Sequence, residues 1–342
     1  MEASPLVKER LVDQLRRLIA PLQTGSLVKI PSERQLAESL QASRVSVRAA
    51  IRVLTGEGLL VQLRGKGTYI VPAVRLETLY LLRSPDIKDN DPFYNHFLVE
   101  ITNLAAKQGI KLAMVHPDRP PGTDAASPLV VIGMLDDSRL DELTAAYGTL
   151  FAVERYAHRD DIAQVYFDDY RIGSKAAKTL FDHGYRNLAL LGGPDKYASA
   201  NLRKLGFLDK ARGCGVPVRV MTDKMNWEGG VRAADLVAAS PGDRPDAVFA
   251  VNDWMAVGFI QRLREHGLHV PAHMAVIGCD DIPLASECSP RLATFKLDMK
   301  HLVEELLAAI HRHHAGRSAE RNEVVLPAVF IGRESLAHKT IR

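Results

Sequence analysis

Cysteine is scarce: Cys214, Cys279 and Cys288 are all that 342 residues contain. Three thiols without paired spacing argue against a disulfide framework or a zinc ribbon, and they point to a reducing, cytoplasmic compartment. Long apolar runs are also missing, so no stretch can span a bilayer. The opening MEASPLVKERLVDQL has no apolar core of the kind an export signal needs. Neither a membrane protein nor an exported carrier is therefore expected. Catalytic constellations are lacking as well. Gly192-Gly193-Pro194 is not followed by the Lys-Ser/Thr pair of a phosphate loop, and no Ser-His-Asp or Cys-His set stands out. His311-Arg312-His313-His314 lacks the i, i+4 pair of a helical zinc site and suits the positive end-charge of a helix C-terminus. No enzyme, metal or cofactor is expected.

What remains is an ordinary globular composition, 46% hydrophobic and 25% charged, long enough for two domains. The small net charge of +3 hides a division. Residues 1–75 hold 12 Lys/Arg against 6 Asp/Glu, leaving 32 against 35 of the chain's 44 and 41 for the rest. A basic head on a near-neutral body suits phosphate contact at one end, because neutralising a nucleic acid needs local cations.

That head has a readable order. Leu11, Leu15, Leu18, Ile19 and Leu22 recur at helical spacing in residues 5–22. Pro31-Ser32-Glu33 then opens a helix with Leu36, Ala37 and Leu40 on one face. Leu40-Gln41-Ala42-Ser43 allows only a tight turn, and Ser43 can cap a second helix that buries Val47, Ala50, Ile51 and Leu54. Gly56 and Gly58 stop it, and Leu59-Leu60-Val61 and Thr68-Tyr69-Ile70-Val71 pair across Arg64-Gly65-Lys66-Gly67. This is a winged helix-turn-helix. Its second helix would offer Arg44, Ser46 and Arg48 to a major groove, with Arg34 and Arg52 on phosphates and Lys66 at the wing tip, where Gly67 permits close approach.

From Glu77 the pattern becomes alternating strands and helices, which predicts doubly wound parallel sheets and an α/β class. Strands are read at Thr78–Leu82, Lys111–Val115, Leu129–Gly133, Val165–Phe167, Asn187–Leu191, Val218–Val220, Ala247–Val251 and Ala275–Gly278. Helices are read at Phe93–Gln108, Ile172–His183, Glu228–Ala239 and Met255–His266. Open sheets of this kind take ligands at the carboxyl ends of their strands, where Asn252-Asp253 and Asp280-Asp281 fall. Arg203 and Trp227 add a guanidinium and a ring face, which with carboxylate and amide can hold a polyol. An aspartate at a strand end serves equally as a helix cap.

The segment PSERQLAESLQASRVSVRAAIRVLTGEGLLVQLRGKGTYIV resembles the GntR-type winged helix. That likeness implies DNA contacts at Arg34, Arg44, Ser46, Arg48, Arg52 and Gly67, and Ser43 and Lys66 are expected beside them, Lys66 standing where the family commonly has Arg. The segments YFDDYRIGSKAAKTLFDHGYRNLALLGGP, NLRKLGF, AVFAVNDWMAVGF and MAVIGCDDIPLASECSPRLATFKLD resemble the effector domain of LacI/GalR regulators, with its periplasmic-binding-protein fold. This second likeness implies effector contacts at Arg203, Asn252 and Asp280, with Trp227, Phe93 and Tyr94 in the pocket.

The expected organisation is a head over residues 1–72, a linker over 73–76 and an effector domain over 77–342. One lobe is expected over about 77–163 and 295–322, the other over about 164–294 and 323–342, with crossings near Ala163, Thr294 and Asn322. The expected function is a ligand-responsive transcription regulator: a homodimeric repressor of a carbohydrate-use operon that binds operator DNA and a small sugar-like effector. A regulator sensing a nucleobase or another non-sugar metabolite is the near alternative. A non-regulatory binding protein or enzyme is the distant one.

Overall fold

The computed structural model describes residues 5–22, 28–56, 59–63, 67–70, 76–116, 127–314 and 322–339. The chain divides into two compact units, Met1–Leu76 with Ala309–Glu320, and Glu77–Ala308 with Arg321–Arg342.

The first unit runs α1 (Pro5–Ile19), a short 3-10 turn at Ala20–Leu22, β1 (Val28–Lys29), α2 (Glu33–Ser39), α3 (Arg44–Gly56), β2 (Leu60–Leu63) and β3 (Gly67–Ile70). Ser32 caps α2 and exchanges bonds with Gln35, a capping box that satisfies two orphan donors at once. The sheet order is β1-β3-β2, antiparallel throughout, with Leu60 and Val28 both opposite Ile70. Leu11, Leu15, Ile19, Leu36, Val47, Ile51, Leu54, Leu60 and Ile70 form one core under these elements. Leu18 and Leu22 were expected on the buried stripe of the first helix, yet they stay half exposed.

The second unit has two six-stranded sheets, parallel but for one antiparallel edge strand. The first-sheet elements are β4 (Thr78–Arg83), α4 (Pro92–Lys107), β5 (Lys111–Val115), β6 (Leu129–Ile132), α5 (Asp137–Tyr147), β7 (Leu150–Ala152) and β8 (Ala163–Phe167). The chain continues through α6 (Asp169–Asp182), β9 (Leu188–Gly192), α7 (Ala198–Gly213), β10 (Val218–Thr222), α8 (Trp227–Ala238), β11 (Ala247–Ala250), α9 (Asp253–Glu265) and β12 (Ala275–Asp280). It closes with α10 (Pro283–Glu287), β13 (Ala293–Lys296), α11 (Met299–His314), β14 (Glu323–Leu326) and β15 (Val329–Ile331). The first sheet orders β14-β8-β7-β6-β4-β5, the second β10-β9-β11-β12-β13-β15. In each, strand order reverses beside the first strand, at β4/β6 and at β9/β11. The crevice outside the carboxyl ends there is where such sheets take ligands.

The lobe boundaries differ from those expected. Residues 164–167 and 323–326 were assigned to the second lobe, but β8 pairs with β7 and β14 in the first sheet, Val165 opposite Val324. The chain therefore crosses after Phe167, after Lys296 and between Leu326 and Val329. An apolar strand reads alike whichever sheet it joins, so local pattern could not choose. The helix Asp137–Tyr147 and the strand Leu150–Ala152 were also unread, and they are what complete the first sheet.

Candidate functional site

The head presents its cations unevenly. Ser43 opens α3 by accepting from Ser46 N at 3.0 Å, and its hydroxyl lies 2.8 Å from the Ser46 hydroxyl. Ser46 is 7% exposed, so it faces inward as part of the cap, although the sequence suggested it for base contact. Arg44, Val45, Arg48 and Arg52 are exposed on α3. Arg48 is gripped by Glu33, its Nη2 and Nε donating to Oε2 at 2.7 and 2.9 Å. That hydrogen bond holds the Glu33 carboxyl below its usual range. Arg34 pairs with Glu38 at 3.2 Å, both well exposed. Gly67 starts β3 with φ +108°, a conformation that only glycine takes freely, and a Cβ there would meet Lys29 Cε at 2.9 Å. Lys29, not singled out from sequence, thus joins the exposed cations near the wing. Lys66 lies outside the described residues.

The second unit holds a cavity of about 450 Å³ lined from both sheets, at the carboxyl ends of their strands. The loop after β4 supplies Pro85, Asp86, Ile87, Lys88 and Asp91, the residues after β7 supply Val153 and Glu154, and β8 ends at Phe167. From the other lobe come Lys196 and Tyr197 after β9, Met225 after β10, Asn252 and Trp254 around the start of α9, and Asp280 at the end of β12.

Arg203 is the centre of the second-lobe wall. It is 5% exposed, and its Nε donates to Asp169 Oδ1 at 2.7 Å. Its Nη1 donates to the Val251 carbonyl at 2.6 Å and to Asp280 Oδ1 at 3.3 Å. Burial works against its charge, but the carboxyl groups of Asp169 and Asp280 more than offset this and hold it firmly protonated. The packing of α6 on α7 makes this possible. At Gly173 a Cβ would stand 1.9 Å from the Arg203 carbonyl, and at Gly206 one would stand 2.0 Å from that of Tyr170. Two helix backbones in contact bring Asp169, at the first turn of α6, beside Arg203 on α7.

Asp280 and Asp281 have φ of +122° and +57°, consecutive strained positions at the strand end. Arg333 braces Asp281 at 2.6 Å. Burial drives the Asp280 carboxyl well above its usual range, with Arg203 opposing. Asn252 caps α9, accepting from Met255 N at 2.9 Å, and donates to the Met225 carbonyl at 3.2 Å. Asp253 is fully buried instead of capping: Thr294 Oγ1 and Ile282 N donate to it, and burial pushes its carboxyl up to about 7.

On the first-lobe wall Asp91 caps α4, accepting from the backbone N–H groups of Phe93 and Tyr94 at 3.0 and 3.3 Å. Phe93 and Tyr94 line the cavity with their rings edge to face, 5.1 Å between centroids. Trp227 does not line it. Asn226 caps α8, so Trp227 begins that helix with its carbonyl against Gly258 of α9. The lining tryptophan is Trp254, one helical position past the Asn252-Asp253 pair. Glu154 was also missed, because the strand before it went unread. An apolar Leu-Phe-Ala-Val run ending in Glu was the available signal.

The family model for bacterial regulatory proteins of the gntR family matches residues 7–70, and that for the periplasmic binding protein-like domain matches residues 177–336. The chain is 26% identical to the HTH-type transcriptional regulator DegA of Bacillus subtilis over 275 residues, covering 74% of this chain and 79% of DegA. It is 33% identical to the ribose operon repressor of Haemophilus influenzae over 167 residues, 48% of this chain and half of that protein's length. Among solved structures, a LacI family transcriptional regulator from Enterococcus faecium with bound ribose superposes with a TM-score of 0.67. It is 20% identical and covers 77% of this chain and all of that one, a likeness of fold. The chain thus joins a gntR-type regulatory head to a periplasmic-binding-protein-like domain.

Proposed function

We propose that this chain, a transcription regulator of that two-part kind, represses a carbohydrate-use operon as a homodimer. Its head binds operator DNA and its cavity takes a small sugar-like effector. The observation that carries this is the cavity itself: Arg203, Asp280 and Asn252 converge on one wall and aromatic rings face them from both lobes. Hydroxyl groups need paired donors and acceptors and a ring needs an apolar face, which such a lining offers. The ribose operon repressor among its relatives and the ribose in a structural neighbour lend support to a sugar.

The device that links cavity to head is an equilibrium between lobe arrangements. Ion pairs already bridge the lobes at the cavity mouth, Lys196 to Asp86 at 2.5 Å and Lys88 to Glu228 at 3.7 Å. An effector that prefers one arrangement by about 1–3 kcal/mol changes operator affinity roughly 5–150-fold.

A second reading, in which the effector is a nucleobase or nucleoside, is favoured by the rings of Phe93, Tyr94, Tyr166, Phe167, Tyr197 and Trp254 in the lining. A thermal-shift panel of pentoses, hexoses, disaccharides and nucleobases separates the two. A true effector at a hundredfold excess over Kd adds about 2.7 kcal/mol of stability. Each hit is then added to the protein on an operator fragment selected from a random DNA pool. Release or tightening by a sugar supports the reading. A response to nucleobases alone overturns its carbohydrate half.

A further inference from the structure

The inner cavity gathers more carboxyl groups than its buried cation can pair. Glu154 and Asp169 are at most 8% exposed, the Asp280 side chain is 7% exposed, and Asp91 lines the same space. Against these, Arg203 is the buried cation among the lining residues described, and its Nε and Nη1 are already committed to Asp169, Asp280 and the Val251 carbonyl. The lining lysines do not redress this. Lys88 and Lys196 are half exposed at the mouth and paired with Glu228 and Asp86, and Lys224 is exposed.

Among the described residues Glu154 makes no ion pair, unlike Asp169 and Asp280, which both meet Arg203. Its Oε1 accepts from the Tyr94 hydroxyl at 2.9 Å, and the residue lines the cavity. Burial, then the charges of Glu154, Asp91 and Asp280, push the Tyr94 phenol well up, so all three carboxylates act on the space around one hydroxyl. A phosphate or carboxylate entering there adds charge of the wrong sign in a poorly solvated site. A protonated nitrogen offers three donors to acceptors that lack them.

We propose that the effector is a small ring-shaped molecule bearing a protonated amino group, its nitrogen against the Glu154 carboxylate and its ring face against the aromatic lining. The inference rests on the reading of this cavity as the effector site. It excludes sugar phosphates and sugar acids as effectors.

The test titrates the full-length protein with glucosamine, galactosamine and mannosamine. Each is compared with its parent hexose, its N-acetyl derivative and the hexose 6-phosphate, by calorimetry and by operator release. The expected result is that at least one amine binds about tenfold or more tighter than its parent and N-acetyl forms, with no binding of the phosphates. Glu154→Gln, checked for an intact melting transition, should erase that preference. Equal or tighter binding of a parent hexose or of a phosphate overturns the proposal, as does amine preference that survives in Glu154→Gln. If a neutral sugar binds and releases operator while no amine does, the effector cavity stands and the amine falls. If no compound moves either readout, both fall.

Discussion

Tyr94 and Glu154 lie 60 residues apart and meet through a 2.9 Å hydrogen bond, the phenol donating to the carboxylate. Tyr94 sits in the first turn of α4 and Glu154 just past β7, so the bond closes the first-lobe wall of the cavity from two separate strand ends.

The pair carries a pH dependence. Burial raises the Glu154 carboxyl from 4.5 to about 7, helped by the charges of Asp169 and Asp91 and opposed by the Tyr94 bond and Arg203. A folded pKa above the unfolded value means the native state binds more protons in that window. Stability from this group is therefore fully present below the unfolded pKa and is lost as pH rises toward 7. Glu154→Gln has no proton to lose. Urea unfolding should find it more stable than the parent at about pH 8, by up to roughly 3 kcal/mol, with the difference vanishing below the unfolded value of 4.5. An equal difference at both pH values contradicts the assignment.

Arg203→Ala leaves Asp169 and Asp280 buried without their cation. Breaking a buried pair from one side costs about 3–5 kcal/mol, because the stranded charge has no solvent to return to. Denaturant midpoints should fall accordingly, and a loss below about 1 kcal/mol shows that the carboxylates simply take up protons.

Gly206→Ala drives a methyl into the Tyr170 carbonyl, where backbone cannot yield as a side chain can. A destabilisation of about 1–3 kcal/mol is expected from the forced separation of α6 and α7. Since Arg203 rides on α7, effector affinity should fall with it. A variant as stable as the parent argues that the helices have room to spare.

On the head, Arg44→Ala and Ser46→Ala should separate cleanly. Arg44 is exposed on α3 and offered to a major groove, so its loss should weaken operator binding by about 1–3 kcal/mol, relax the base preference at one position and leave the melting temperature unchanged. Ser46 is buried against Ser43 in the cap of α3, so its loss should lower the melting temperature of the head and leave the base preference alone. A reversed pattern, with Ser46→Ala weakening DNA binding at unchanged stability, would return Ser46 to the DNA-facing surface.

By itself, the sequence determined what neighbours along the chain decide. The capped helix at Glu33–Ser39, the tight turn to Ser43, the helix carrying Arg44 and Arg48 and the hairpin back to Ile70 all follow from spacings of a few residues. So do the alternation of strand and helix and the placing of Arg203, Asn252 and Asp280 where strands end or helices begin. Tertiary structure alone decided the rest. It joined Ala163–Phe167 to Glu323–Leu326 in the first sheet, turned Ser46 inward, put Trp254 and not Trp227 on the cavity, and brought Glu154 to Tyr94. The reason is physical: periodicity records that a residue is buried, while the partner that buries it is chosen by contacts between elements far apart in the chain.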